Sequence, residues 1–116
     1  SCYSFSNASR KAHAKHIFDL ETNGLITGAS LRPNSNEIWL SGYQKQKKQA
    51  FLIQLSDWKN PKQHQRNVQK LILKNDDTSF QLEGITFLNK NTLILSNEWT
   101  NDYTQAIYQI ILSEAK

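Results

Sequence analysis

A chain of 116 residues with 38% hydrophobic, 10% aromatic and 21% charged content falls in the globular class, away from the low-hydrophobicity, high-charge compositions that leave chains disordered. Its longest apolar stretches, such as 108–112 with Gln109 inside, are far shorter than the roughly 18 apolar residues of a membrane-spanning helix, so no membrane span is expected. The net charge of +4 is uneven: residues 38–75 hold eight Lys and Arg against Asp57 alone, whereas 76–116 carry six acids against Lys90 and Lys116.

In chain order, strand signals are short runs of Ile, Leu, Phe, Trp and Tyr separated by turn residues. The first is 2–5, in an opening stretch that lacks Met, a basic start and an apolar signal core, and so reads as neither a natural start nor a signal peptide. A strand is expected over 15–20, then one over 25–32 containing Gly28, one over 37–43 containing Trp39, one over 50–55 and one over 67–74. Three more follow, over 81–88 containing Gly84, 92–98 and 105–112. The connections Pro33-Asn34-Ser35-Asn36 and Asn89-Lys90-Asn91 read as tight hairpins, because Asn tolerates left-handed φ and Pro presets the first turn position. No stretch carries sustained helical apolar spacing with a cap.

These strands match one another at a fixed spacing. Leu25-Ile26-Thr27-Gly28-Ala29-Ser30-Leu31 aligns with Gln81-Leu82-Glu83-Gly84-Ile85-Thr86-Phe87 at an offset of 56, and Glu37-Ile38-Trp39-Leu40-Ser41 with Thr92-Leu93-Ile94-Leu95-Ser96 at 55. Phe51-Leu52-Ile53-Gln54-Leu55 aligns with Ala106-Ile107-Tyr108-Gln109-Ile110, again at 55. Four short strands per unit of about 50 residues is the arithmetic of a propeller blade, and a closed ring needs about four to eight blades. The chain is therefore expected to be all-β: two four-stranded antiparallel propeller blades plus part of a third, a fragment of a larger β-propeller. In that reading residues 1–116 belong to a single propeller domain, with a partial blade at 1–6 and blade strands over 15–55 and 67–112. The remaining blades of the ring are then its first partner. A standalone sandwich or barrel of about eight strands is the rival architecture.

The runs Leu25-Ile26-Thr27-Gly28-Ala29-Ser30, Glu37-Ile38-Trp39-Leu40-Ser41-Gly42-Tyr43, Gln81-Leu82-Glu83-Gly84-Ile85 and Leu95-Ser96-Asn97-Glu98 resemble the C-terminal blades of secreted six-bladed β-propellers of Bacteroidota. The group is a broad one, containing phytase-like esterases and NHL or gluconolactonase-like propellers. The resemblance covers 2–112 in strand order and implies a secreted, periplasmic or cell-surface location. It carries no catalytic residue onto this chain, because fold likeness does not fix chemistry.

Antiparallel pairing of the Gly-containing strand with its successor sets the start of one beside the end of the other, which brings Glu83 near Asn97 and Glu98. The same geometry in the preceding unit gathers Thr27, Ser41, Gly42 and Tyr43. Glu83, Asn97, Glu98 and Tyr43 are the candidate ligand-binding residues, and Glu83 and Glu98 the candidate metal ligands. Paired carboxylates with an amide suit a hard cation such as calcium, or divide acid and base roles where their pKa values are pushed apart. The structural alternative is that they hydrogen-bond neighbouring backbone. His13 and His16 stand three apart but lack a third ligand, His64 reads as a solvated loop residue, and Cys2 has neither a disulfide partner nor a CxxC pair. Trp39 is expected to pack between blades, and Trp58 and Trp99 to lie at strand ends.

Two functions follow. One is a noncatalytic binding or scaffold propeller engaging a protein or glycan. The other is a hydrolase or lactonase whose main site sits on blades outside this chain. The basic residues of 45–74 lie mostly in loops with no reading element, so nucleic acid is not an expected partner.

Overall fold

The computed structural model describes residues 3–4, 11–16, 19–59, 67–74, 81–98 and 105–113. The protein is all-β, with no helix among the described residues. Its strands are β1 (Tyr3–Ser4), β2 (Lys11–Ala12), β3 (Leu25–Leu31), β4 (Ile38–Gln44), β5 (Gln49–Ser56), β6 (Asn67–Ile72), β7 (Leu82–Asn89), β8 (Thr92–Asn97) and β9 (Ile107–Ile111). They form an antiparallel sheet in the order β3-β4-β5-β6, a second in the order β7-β8-β9, and a two-stranded ladder of β1 with β2. Both larger sheets are meanders, as short connections between consecutive strands favour.

Strands β3 to β9 lie within a few residues of the expected bounds, and the turns between them follow the expected chemistry. Asn34 takes the left-handed φ of 59° in the β3–β4 turn, which is closed by Arg32 N donating to Glu37 O at 2.9 Å. In the β7–β8 turn, Asn91 N donates to the Asn89 side chain at 2.9 Å.

The strand expected over 15–20 does not form at its described residues. Lys15, His16, Asp19 and Leu20 are outside any strand, and the exposed His16 ring instead meets Asp19 Oδ1 at 3.0 Å. Residues 17–18 lie outside the described residues, as do Cys2, Phe5, His64 and Trp99. The first four-stranded sheet therefore runs over 25–72, with β6 as its last strand, rather than over 15–55. The physical reason is β5: Phe51, Leu52, Ile53 and Leu55 are all buried, and a strand buried on both faces needs backbone partners on both edges. β6 supplies the second edge, continued by Leu73 N donating to Ala50 O at 2.9 Å.

Side-chain alternation decides how the two sheets meet. Trp39 on β4 and Leu52 on β5 project from one face of the first sheet, and the cluster they join contains Leu82, Leu93 and Leu95 of the second, flanked by Ile85, Phe87, Tyr108 and Ile110. Trp39 packs between the sheets, its ring 6.4 Å from that of Phe87 at 81°, the edge-to-face arrangement aromatic quadrupoles favour. β3 and β4 are the strands lying on β7. The approach is close enough that a Cβ on Gly28 would stand 3.1 Å from Ile85 Cγ2 and 3.4 Å from Ile85 N.

Each sheet carries a bulge at its first strand pair. The ladder steps from Ile26↔Gly42 to Gly28↔Ser41, leaving Thr27 as the extra residue. It steps again from Leu82↔Asn97 to Gly84↔Ser96, leaving Glu83. No glycine has positive φ, so Gly28 and Gly84 answer to space rather than to backbone conformation: a Cβ would meet Ser41 Oγ at 3.0 Å in one case and Ser96 Oγ at 2.9 Å in the other.

Candidate functional site

The β7–β8 pairing brings Glu83, Asn97 and Glu98 to one sheet edge. Glu83 is the bulged residue, Asn97 ends β8 opposite Leu82, and Glu98 follows, its backbone N donating to Gln81 O at 2.8 Å. The three side chains then part company. Glu83 and Glu98 are exposed, whereas Asn97 is fully buried.

The Asn97 amide serves the frame. Its Oδ1 accepts a hydrogen bond from Ala106 N at 2.6 Å, and its Nδ2 donates to Glu98 O at 3.4 Å. Ala106 immediately precedes β9, so this side chain pins the entry of β9 to the exit of β8. The half-buried Ala106 N–H needs an acceptor at a point where the ladder has not yet begun, and Asn97 provides it. Among the described residues, no group of three or more His, Cys, Asp and Glu is placed to hold a metal ion.

At the corresponding edge of the first sheet, Tyr43 is half-buried opposite Leu25. Beside it Gly42 is enclosed by the Leu25 carbonyl and the Phe51 ring, with no room for a Cβ. The bulged Thr27 turns its hydroxyl to Ser41, 3.1 Å from Ser41 Oγ and 3.3 Å from Ser41 O. Where the first sheet closes its bulge with hydroxyls, the second presents a carboxylate. Tyr43 and Glu83 belong to different sheets.

A second polar constellation occupies the opposite ends of the same strands. Arg32 Nη1 reaches both Glu37 carboxylate oxygens, at 3.3 and 3.1 Å. The same guanidinium donates through Nε to Lys90 O and through Nη2 to Asn91 Oδ1 at 2.9 Å. Glu37 also accepts from Trp39 Nε1 at 3.4 Å and from Gln54 Nε2. One planar cation thus ties the β3–β4 turn to the β7–β8 turn, a geometry that suits the guanidinium fork. These residues border a cleft of about 920 Å³ that continues past Gln69 and Leu71 of β6 to Ile111, Leu112 and Ser113 at β9. This network joins turns 58 or 59 residues apart in the chain. Its one local signal is an Arg and a Glu flanking the Pro33-Asn34-Ser35-Asn36 turn, which a tight hairpin sets side by side.

The remaining singled-out residues are dispersed. His13 and His16 are exposed, and His16 is engaged with Asp19. Trp58 is half-buried with Lys59 Nζ 5.4 Å from its ring centroid. Comparison with known proteins returns no family model, no curated protein and no solved structure that matches the chain.

Proposed function

We propose that the chain is a pair of neighbouring blades of a β-propeller, serving as a noncatalytic binding or scaffold unit, with the sequence resemblance as the ground for an exported location. The observation that carries the reading is the correspondence between the two sheets. Thr27 and Glu83, matched in sequence at an offset of 56, are the bulged residues near the starts of β3 and β7, each followed by a glycine set against a serine hydroxyl. The sheets lie face to face, as successive blades do, with their glycine-containing strands in contact. The polar side chains at the strand ends support the noncatalytic part: Asn97, Thr27, Ser41, Arg32 and Glu37 are committed to backbone or to one another, and only Glu83 and Glu98 of the singled-out edge are exposed. Loop surface bordered by these two carboxylates suits a protein or glycan ligand.

Sedimentation velocity on the 116-residue chain tests the ring reading. Ile107 and Ile111 on the second sheet and Leu31 and Ile72 on the first are exposed, and blade faces without neighbours associate. The expected result is concentration-dependent association in the micromolar range. A compact monomer that persists at several hundred micromolar overturns the reading in favour of a standalone sandwich.

A further inference from the structure

Among the described residues, four that are not glycine adopt left-handed φ: Asn23, Asn34, Asp57 and Lys48. The first three are of the kind that visits this region, because a short polar side chain bonds locally there. Lys48, at φ 51°, breaks the pattern. It ends the four-residue turn between β4 and β5, Lys45-Gln46-Lys47-Lys48, where Lys48 N donates to Lys45 O at 3.3 Å. Glycine or asparagine would fit that backbone with less strain. The turn accepts the strain and gains a charge, and strain kept at an exposed position is a mark of function rather than of stability.

The sheet adds to this charge. All four turn residues are exposed. The β5–β6 ladder, carried on by Leu73 N donating to Ala50 O, sets the exposed Lys74 beside Gln49 at the base of the turn. Lysines from two distant segments thus meet at one end of the first sheet. Between Ile38 and Lys59 the one acid is Asp57, past the other end of β5, while Glu21 precedes β3. The lysines alternate with Gln44, Gln46 and Gln49, and neither an arginine nor an aromatic residue stands in 44–49.

That make-up selects the partner. Lysines offer separate point charges rather than the fork that grips a phosphate in two places, and the turn has no ring on which a nucleic-acid base could stack. An anionic membrane surface asks for apolar side chains beside the charges, and a protein interface for a buried aromatic or arginine anchor. Carboxylates spaced along a hydroxyl-rich chain, by contrast, match both the ammonium groups and the interleaved amides. We propose that the β4–β5 turn, together with Lys74, is a binding site for an acidic polysaccharide of the uronate class. The site is separate from the edge of Glu83 and Glu98, whose like charge would turn such a ligand away, and it stands whether or not the two sheets belong to a ring.

The test adds the full chain, at rising micromolar concentration, to a fluorescently labelled six-unit galacturonate oligomer and reads anisotropy at low ionic strength. The expected result is saturable binding, with half-saturation below about 1 mM, weakening as salt screens the charges. An unlabelled neutral glucose oligomer of the same length should not compete. The Lys45→Gln, Lys47→Gln double variant should bind at least about tenfold more weakly, whereas the Glu83→Gln, Glu98→Gln double variant should bind no more weakly than the parent. Lys48→Gly should lower affinity and at the same time raise the urea midpoint, because it relieves the left-handed strain; a lysine retained for structure would not give opposite signs. Absence of saturable binding, equal competition by the neutral oligomer, tighter binding of a DNA oligonucleotide or of anionic vesicles, unchanged affinity in the lysine double variant, or a lowered midpoint in Lys48→Gly overturns the proposal.

Discussion

Gly28 and Gly84 occupy the same place in their sheets, yet their substitution should have unequal consequences. A Cβ on Gly28 would meet Ser41 Oγ at 3.0 Å and, across the sheet interface, Ile85 Cγ2 at 3.1 Å and Ile85 N at 3.4 Å. Ser41 is fully buried and engaged with Thr27, so it has little freedom to retreat. Valine at Gly28 adds two further methyl groups to this gap, and overpacking of that kind costs about 1–3 kcal/mol. At Gly84 the one close atom is Ser96 Oγ, at 2.9 Å, which a rotation about the serine χ1 removes. The gain in strand preference of Val over Gly, up to about 1 kcal/mol, then offsets most of the remaining strain. Urea unfolding followed by far-UV circular dichroism at low micromolar concentration should separate the two by about 1–3 kcal/mol, with an unchanged slope. Ile85→Ala should recover part of the Gly28→Val loss, as a coupled pair requires. Equal losses at the two glycines, or no coupling to Ile85, would refute the packing of β3 on β7.

Asn97→Ala should lower stability by about 1–2 kcal/mol, because the half-buried Ala106 N loses its acceptor at a fully buried side chain; an unchanged unfolding midpoint would make Asn97 a candidate ligand group again. Arg32→Lys should lose about 1–2 kcal/mol despite keeping the charge, since an ammonium cannot reach Glu37, the Lys90 carbonyl and Asn91 at once; stability equal to the parent would mean that the fork does not latch the two turns. Millimolar calcium should move the unfolding midpoints of the parent and of the Glu83→Gln, Glu98→Gln double variant by the same amount. A calcium shift lost in the double variant would make this edge a cation site by simple mass action.

The hairpins were legible because their chemistry is local. Pro33-Asn34 and Asn89-Lys90-Asn91 name turns without reference to anything distant, and the matched glycine segments fall where two bulges form. The strand expected over 15–20 is absent at its described residues for the opposite reason. Its apolar content resembles that of β6, but which of them completes β5 is decided by an edge that only the folded sheet possesses. The candidate site divided along the same line. Pairing arithmetic brought Glu83, Asn97 and Glu98 to one edge, because register follows from a short turn. The orientation of Asn97 does not follow from register, since it depends on the unsatisfied N–H of Ala106 nine residues later. Arg32 escaped notice because its partners Lys90 and Asn91 lie 58 and 59 residues away in the chain.

The strands β5 and β9 are matched in sequence and differ in surroundings. Their sequences alternate in the same way, and their register against β4 and β8 is equivalent. In β5 the residues of both faces are buried; in β9, Tyr108 and Ile110 are partly covered, and Ile107, Gln109 and Ile111 are open. A run of apolar residues thus encodes the capacity for two covered faces, and the neighbours decide whether that capacity is met. Exposure of Ile107 and Ile111 forgoes the roughly 25 cal/mol that burial would contribute for each Å² removed from water. A neighbouring sheet laid over that face would recover it, as β7 and β8 do for the matching face of β4 and β5.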